Sequence, residues 1–167
     1  MENIEENVTL WIQENDHLIS KRIKRFLAMY FPNAEIRRKY WIETNVLLGE
    51  KTFLNPNVTV ADDYMSGEIL LEIGSNCSIS PGVVFAPICS HNNSKILREL
   101  GLITKYEKRK KIQIGNDVWI GANSTILGGV NIGKCCIIGA NSLINIDIPD
   151  FSLAYGSPVR IIKDLRE

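Results

Sequence analysis

The chain has 167 residues, nineteen of them basic and nineteen acidic, so its formal net charge is zero and no global field recruits nucleic acid. That length supports one domain with a short appendage rather than two. No apolar run approaches a membrane span, and the acidic opening MENIEENVTLWIQENDH lacks the basic stretch that begins a signal peptide, so a cytoplasmic protein without an integral membrane segment is expected.

Residues 1–40 set Leu18, Ile19, Ile23, Phe26, Leu27 and Tyr30 three or four apart against Lys21, Arg22, Lys24 and Arg25. The spacing predicts an amphipathic helix that ends before Pro32. It either docks on the first layers of the body or lies on a membrane surface. His17 falls in or beside it as an ordinary polar residue.

Beyond this segment the apolar period becomes six. Ile42, Leu48, Leu54 and Val60 begin it, Ile73, Ile79 and Phe85 resume it one residue out of step, and Ile114, Ile120, Ile126, Ile132, Ile138 and Ile144 complete it. A helix repeats near 3.6 residues and a half-buried strand near 2, so neither element alone accounts for a strict six. Stacked coils do: each unit is a short strand plus a corner, and three units close a coil of about 18 residues. A second inward position precedes each ladder residue by two. It holds Leu71, Cys77, Val83 and Cys89, then Ile112, Val118, Ser124, Val130, Cys136, Ser142 and Ile148, mostly small or β-branched as a narrow interior requires. Gly and Asn cluster at the intended corners. The expected fold is therefore all-β: a parallel β-helix of hexapeptide repeats over 41–163, with the N-terminal α-helical segment, one extruded loop at 92–111 and a tail at 164–167.

Cys77, Cys89 and Cys136 fall on inward positions and Cys135 adjoins one, without the spacing of a zinc site. They read as reduced core residues, and no metal is expected.

The six-period vanishes between Phe85 and Ile112, and long excursions from a compact solenoid are usually functional. His91 stands at the departure point. An imidazole with an ordinary pKa of about 6.5 takes a proton from a hydroxyl or amine at neutral pH, although a histidine near a turn also serves as a hydrogen-bonded structural residue. The loop ends in the basic run KYEKRKK at 105–111, which either stays solvated or meets an anion.

The segment IGNDVWIGANSTILGGVNIGKCCIIGANSLINIDIPDFSLAYGSPVRIIK, together with FLNPNVTVADDY and the histidine opening the loop, resembles the hexapeptide-repeat acetyltransferases. The likeness is strongest to the maltose, galactoside and polysaccharide O-acetyltransferases and covers roughly residues 42–163. It implies a left-handed β-helix, a homotrimer with active sites between subunits, and acetyl-CoA as cosubstrate. Under that resemblance His91 is the general base and a backbone N–H near Ala122 holds the oxyanion. Asn55, Asp63 and Trp119 contact the acceptor, while Ala122, Ala140, Arg160 and Lys163 line the coenzyme site. Local chemistry leaves other roles open: Asn55 as a corner, Asp63 as a turn former, Trp119 as an interface aromatic. The chain departs from the family where a Thr-Lys pair is common and Asn145 and Ile146 stand instead, which shifts phosphate binding onto Arg160, Lys163, Lys134 or the loop cations.

The resemblance thus points to acetyl transfer onto a sugar or polysaccharide hydroxyl. Xenobiotic acetyltransferases of the streptogramin type and amino-sugar N-acetyltransferases are the alternatives. A metal hydratase on the same fold needs several histidine ligands, and the chain has only His17 and His91. A noncatalytic assembly module leaves the histidine at the loop exit unexplained.

Overall fold

The computed structural model describes residues 4–90 and 94–167, and arranges them as a helical cap followed by a three-sided solenoid. Three helices stand where one is expected: α1 (Ile4–Glu14), α2 (Lys21–Tyr30) and α3 (Ala34–Glu43), with a single 3-10 turn at Asp16–Leu18. Local capping explains the division. Ser20 Oγ accepts from the Ile23 N–H at 3.4 Å to start α2, and Asn33 Oδ1 accepts from Glu35 and Ile36 at 3.0 and 3.1 Å to start α3 just past Pro32.

Ile42, expected on the lowest rung of the ladder, lies instead in α3 and is 43% exposed. Tyr40 and Trp41 take the buried places there, and Asn45 at φ 70° turns the chain into the first strand. The solenoid begins one rung later than its sequence period suggests.

Its first face carries Val46–Leu48, Leu71–Ile73, Ile112–Ile114 and Asn131–Ile132. The second carries Phe53–Leu54, Ser78–Ile79, Trp119–Ile120, Ile137–Ile138 and Ser152–Tyr155. The third carries Thr59–Val60, Val84–Ala86, Thr125–Leu127 and Leu143–Ile144. All pairings within these stacks are parallel, and the ladder residues stand in register: Leu54 on Ile79 on Ile120 on Ile138, and Val60 on Phe85 on Ile126 on Ile144. Every ladder residue from Leu48 upward is buried, as is each position two residues ahead from Leu71 to Val83 and from Ile112 to Ile148. Fully burying one such isoleucine stabilises by about 1.5–3 kcal/mol, so the ladder is the main cohesive element.

Gly and Asn divide the corners between them by physical role. A Cβ on Gly121 would meet Ala140 N at 2.5 Å, so close stacking of coils requires glycine there. The left-handed turn itself falls two residues later, at Asn123 (φ 57°) and Asn141 (φ 55°), where a short polar side chain tolerates that geometry.

Three further expectations are corrected. The fold is mostly β rather than all-β, because the cap is helical and Arg160–Asp164 returns antiparallel on Ser152–Tyr155. Cys89 is exposed, unlike buried Cys77 and Cys136, since the chain has already left the coil. The excursion is ordered where described: Ile88–Cys89 pairs antiparallel with Lys108–Arg109, and beyond this stem lie α4 (Lys95–Glu99) and α5 (Leu102–Tyr106).

Candidate active site

Both breaks in the sequence period leave the solenoid at one corner, between the third and first faces. Residues 61–70 leave after Thr59–Val60, and the longer excursion leaves one coil above, after Val84–Ala86. Ala61 ties them to the stack, donating to Phe85 O at 2.8 Å and accepting from Ile88 N–H at 3.2 Å.

Between the two excursions lies an open cleft of about 500 Å³ lined by Ala61, Asp62, Asp63, Ile88, Ser90, Glu107 and Arg109. Asp63, an acceptor candidate, is exposed there; its backbone oxygen accepts from the N–H and hydroxyl of Ser66, so it also forms the expected turn. The guanidinium of Arg109 binds Glu68 through Nε at 2.7 Å and through Nη2, joining the loop stem to the 61–70 excursion. Lys111 is likewise engaged, with Glu72 at 2.6 Å, which holds that carboxyl below its usual range. Two of the five cations of the basic run, Arg109 and Lys111, are thereby committed to ion pairs. His91, the candidate base, follows Ser90 directly in the chain and lies outside the described residues.

The remaining candidates gather at a different corner, between the second and third faces. Asn55 occupies it in the lowest coil and spends one amide hydrogen on Ile79 O at 2.9 Å. Trp119 points outward from the second face as expected, 54% exposed, with its indole N–H 3.4 Å from Ser80 Oγ. Ala122 and Ala140 stack above one another, the carbonyl of Ala122 accepting from Asn141 N–H at 2.9 Å. The Ala122 N–H makes no hydrogen bond among the described residues, leaving a donor at this edge. The column ends at Tyr155, which pairs with Arg160; Lys163 pairs with Leu153 further along the same strand, and both cations are exposed. The structure therefore unites Asp63 with the loop stem, and Asn55, Trp119, Ala122, Ala140 and Arg160 along another edge. It does not unite the two groups within one chain.

Sequence reading missed a buried ion pair beside the cleft. Asp62, with a side chain only 2% exposed, receives Arg25 Nη2 of α2 at 2.6 and 2.7 Å. Burial pushes the Asp62 carboxyl up and the Arg25 guanidinium down, each against the pull of its partner. The sequence carried no signal for it, since the amphipathic pattern sets Arg25 on the charged side of a helix whose buried residues are Arg25 and Ala28.

No group of metal-ligating side chains occurs among the described residues, and none of their helices is long and apolar enough to cross a membrane. The described residues thus form a stacked parallel β-helix with a polar cleft at one corner and exposed Arg160 and Lys163 on another edge. The family model "Bacterial transferase hexapeptide (six repeats)" matches residues 111–145. Galactoside O-acetyltransferase from Escherichia coli (strain K12) is 33% identical over 147 residues, spanning 87% of this chain and 68% of that protein. The enzyme of the same name from Lactococcus lactis is 33% identical over 123 residues, and there the chain spans 55% of its relative's length. Among solved structures, a hexapeptide-repeat containing acetyltransferase from Vibrio cholerae superposes with TM-score 0.68 at 27% identity, over 88% of this chain and 89% of that one. A galactoside acetyltransferase in complex with coenzyme A gives 0.63 at 26%, over 87% and 78%. The chain belongs to the hexapeptide-repeat acetyltransferases and is an acyltransferase.

Proposed function

We propose that the protein transfers the acetyl group of acetyl-CoA to a hydroxyl of a sugar or polysaccharide, acting as a homotrimer of left-handed β-helices. The observation that carries this reading is the cleft lined by Asp63 and by Ser90, the residue that precedes His91 in sequence, in a protein kin to galactoside O-acetyltransferases. The division of candidates between two corners supports the trimer: a neighbouring copy that brings its Trp119–Ala122 edge against the Asp63 cleft completes one site from two chains.

In that site Asp63 and Asn55 hold sugar hydroxyls and select the one that faces the base. His91 takes the proton of that hydroxyl as its oxygen attacks the thioester carbonyl. The Ala122 N–H stabilises the oxyanion. Collapse breaks the C–S bond, and the His91 proton passes to the departing thiolate, so no acyl-enzyme forms. Ala122 and Ala140 leave room for the pantetheine arm beside backbone, while Arg160 and Lys163 meet the nucleotide phosphates. The resemblance implies a lysine where Ile146 stands, so Arg160 and Lys163, with Lys134 or the loop cations, make up that contact.

The test is thiol release from acetyl-CoA by wild-type and His91→Ala protein against free sugars, oligosaccharides, amino sugars and streptogramins, with mass analysis of products. The expected result is an alkali-labile acetylated saccharide, made about 10² to 10⁴ times more slowly by His91→Ala. Equal turnover by both proteins, or product only from the amino sugars or streptogramins, refutes the proposal.

A further inference from the structure

Asp63 is flanked on both sides by residues that a single cap side chain holds. Arg25 of α2 reaches Asp62 with Nη2 at 2.6 and 2.7 Å, and its guanidinium carbon lies 4.9 Å from the ring centroid of Tyr64. The same group packs 4.8 Å from the Trp41 ring, and Nη2 also donates to Thr44 O at 3.1 Å. A planar cation suits such aromatic contact better than a lysine ammonium would. Arg25 Nε and Nη1 and Trp41 Nε1 have no hydrogen-bond partner among the described residues. A second tether acts on the same turn: Asn45 Nδ2 donates to Tyr64 O at 2.8 Å, and Lys21 Nζ holds Asn45 Oδ1 at 3.2 Å.

A buried pair of this kind rarely exists for stability, since desolvating both charges offsets most of their attraction. Its geometry has another consequence. Residues 62 and 64 are pinned to the helical cap, residue 61 is pinned to the solenoid through Phe85 and Ile88, and exposed Asp63, which lines the cleft, is held between them. We infer that Arg25 is a positioning residue for the acceptor: by clamping Asp62 and Tyr64 it fixes where Asp63 presents its carboxylate, and so makes the N-terminal cap part of acceptor selection. The inference rests on the reading of the cleft as the acceptor site.

Removing Arg25 alone would strand a buried carboxylate, so the informative protein is the double variant Arg25→Met/Asp62→Asn, in which neither charge is left unpaired. Arg25→Lys serves as a second variant that keeps the charge but not the planar stack. Steady-state kinetics with acetyl-CoA and the saccharide accepted by the wild type, together with hydrogen exchange, separate the roles. The expected result is an acceptor KM raised about tenfold or more in both variants with the acetyl-CoA KM within about twofold. Faster exchange should be confined to residues 61–66, while the coils over 112–145 stay protected. An unchanged acceptor KM in a folded variant overturns the clamp and leaves the acceptor reading intact. So does an equal rise in both KM values. A wild type that turns over no saccharide overturns the acceptor reading itself, and the clamp's role with it.

Discussion

Replacing Ile126 by a graded set of side chains tests the ladder that holds the solenoid together. Ile126 is 0% exposed, and its register partners are Phe85 below and Ile144 above, both also fully buried. Ile126→Val removes one methyl and is expected to cost about 0.5–1.5 kcal/mol, and Ile126→Ala about 2–5 kcal/mol with its cavity. Ile126→Asp forfeits the same contacts and adds a carboxyl without a donor, because the nearest inward hydroxyl in the same coil, Ser124, already donates to Gly139 O at 3.0 Å. Transfer loss and an unpaired or neutralised acid together reach about 5–8 kcal/mol, comparable with the whole stability of a typical domain. The assay is urea unfolding followed by far-UV circular dichroism at fixed protein concentration. Gln113→Ala, on an exposed position of the first face, is the control and should stay within about 0.5 kcal/mol. The midpoints should fall in the order wild type, Val, Ala, Asp. An Asp variant that melts with the wild type, or a Gln113 variant that loses as much as Ile126→Ala, refutes the inward register.

Two further outcomes follow from the charges. Burial works to raise the Asp16 carboxyl, but hydrogen bonds from Lys39, Lys24 and Tyr40 outweigh it and hold the group at about 2 against an ordinary 3.8. A depressed acid pKa contributes stability that is present above pH 3.8 and is lost as the pH falls through about 2. The shift corresponds to about 2 kcal/mol at most, and to about 1 kcal/mol once screening is allowed for at a side chain 27% exposed. Asp16→Asn should therefore lower stability by about 1 kcal/mol at pH 7, with the difference shrinking below pH 4; a difference equal at pH 7 and pH 3 refutes the assignment. Arg160→Ala and Lys163→Ala should each raise the KM for acetyl-CoA about three- to tenfold, more strongly at low salt, and unchanged values at low ionic strength would remove these cations from the phosphate site.

The ladder was legible because inward side chains recur at a fixed interval wherever the coil is unbroken, and even Phe85 obeys the rule. Cys89 fails it for a physical reason: the antiparallel stem at Ile88–Cys89 takes the chain off the coil before the next inward place is reached. The cap was the least legible region, since its helices bury charge. Arg37 faces inward from α3 to donate to Phe31 O, Pro32 O and Leu54 O, and Arg25 does so from α2. An amphipathic reading assigns both to solvent, so the apolar stripe of α3 is broken at Arg37 and the helix goes unseen. The candidate site divided in the same way. Trp119 and Asn55 sit in the repeat and their positions follow from its register, whereas the meeting of Asp63 with Glu107 and Arg109 depends on two insertions whose lengths carry no period.

That both insertions leave at one corner follows from the stacking itself. Once Leu54, Ile79, Ile120 and Ile138 are locked in parallel register, extra residues cannot be absorbed within a face without moving a ladder side chain to solvent. They must leave at a corner, and the other two are tightly stacked: a Cβ on Gly74 would meet Gly115 O at 2.7 Å at the first-to-second corner, and at the second-to-third Gly121 lies against Ala140 while the turns at Asn123 and Asn141 close on the coil beneath through Pro81 O and Ala122 O. The third-to-first corner accepts the insertions, and the cleft forms where they leave. A solenoid built this way keeps one edge invariant in backbone geometry and lets another vary in length and charge. For an acyltransferase of this family, that arrangement allows the cleft at Asp63 to change while the edge bearing Ala122, Ala140 and Arg160 keeps its spacing.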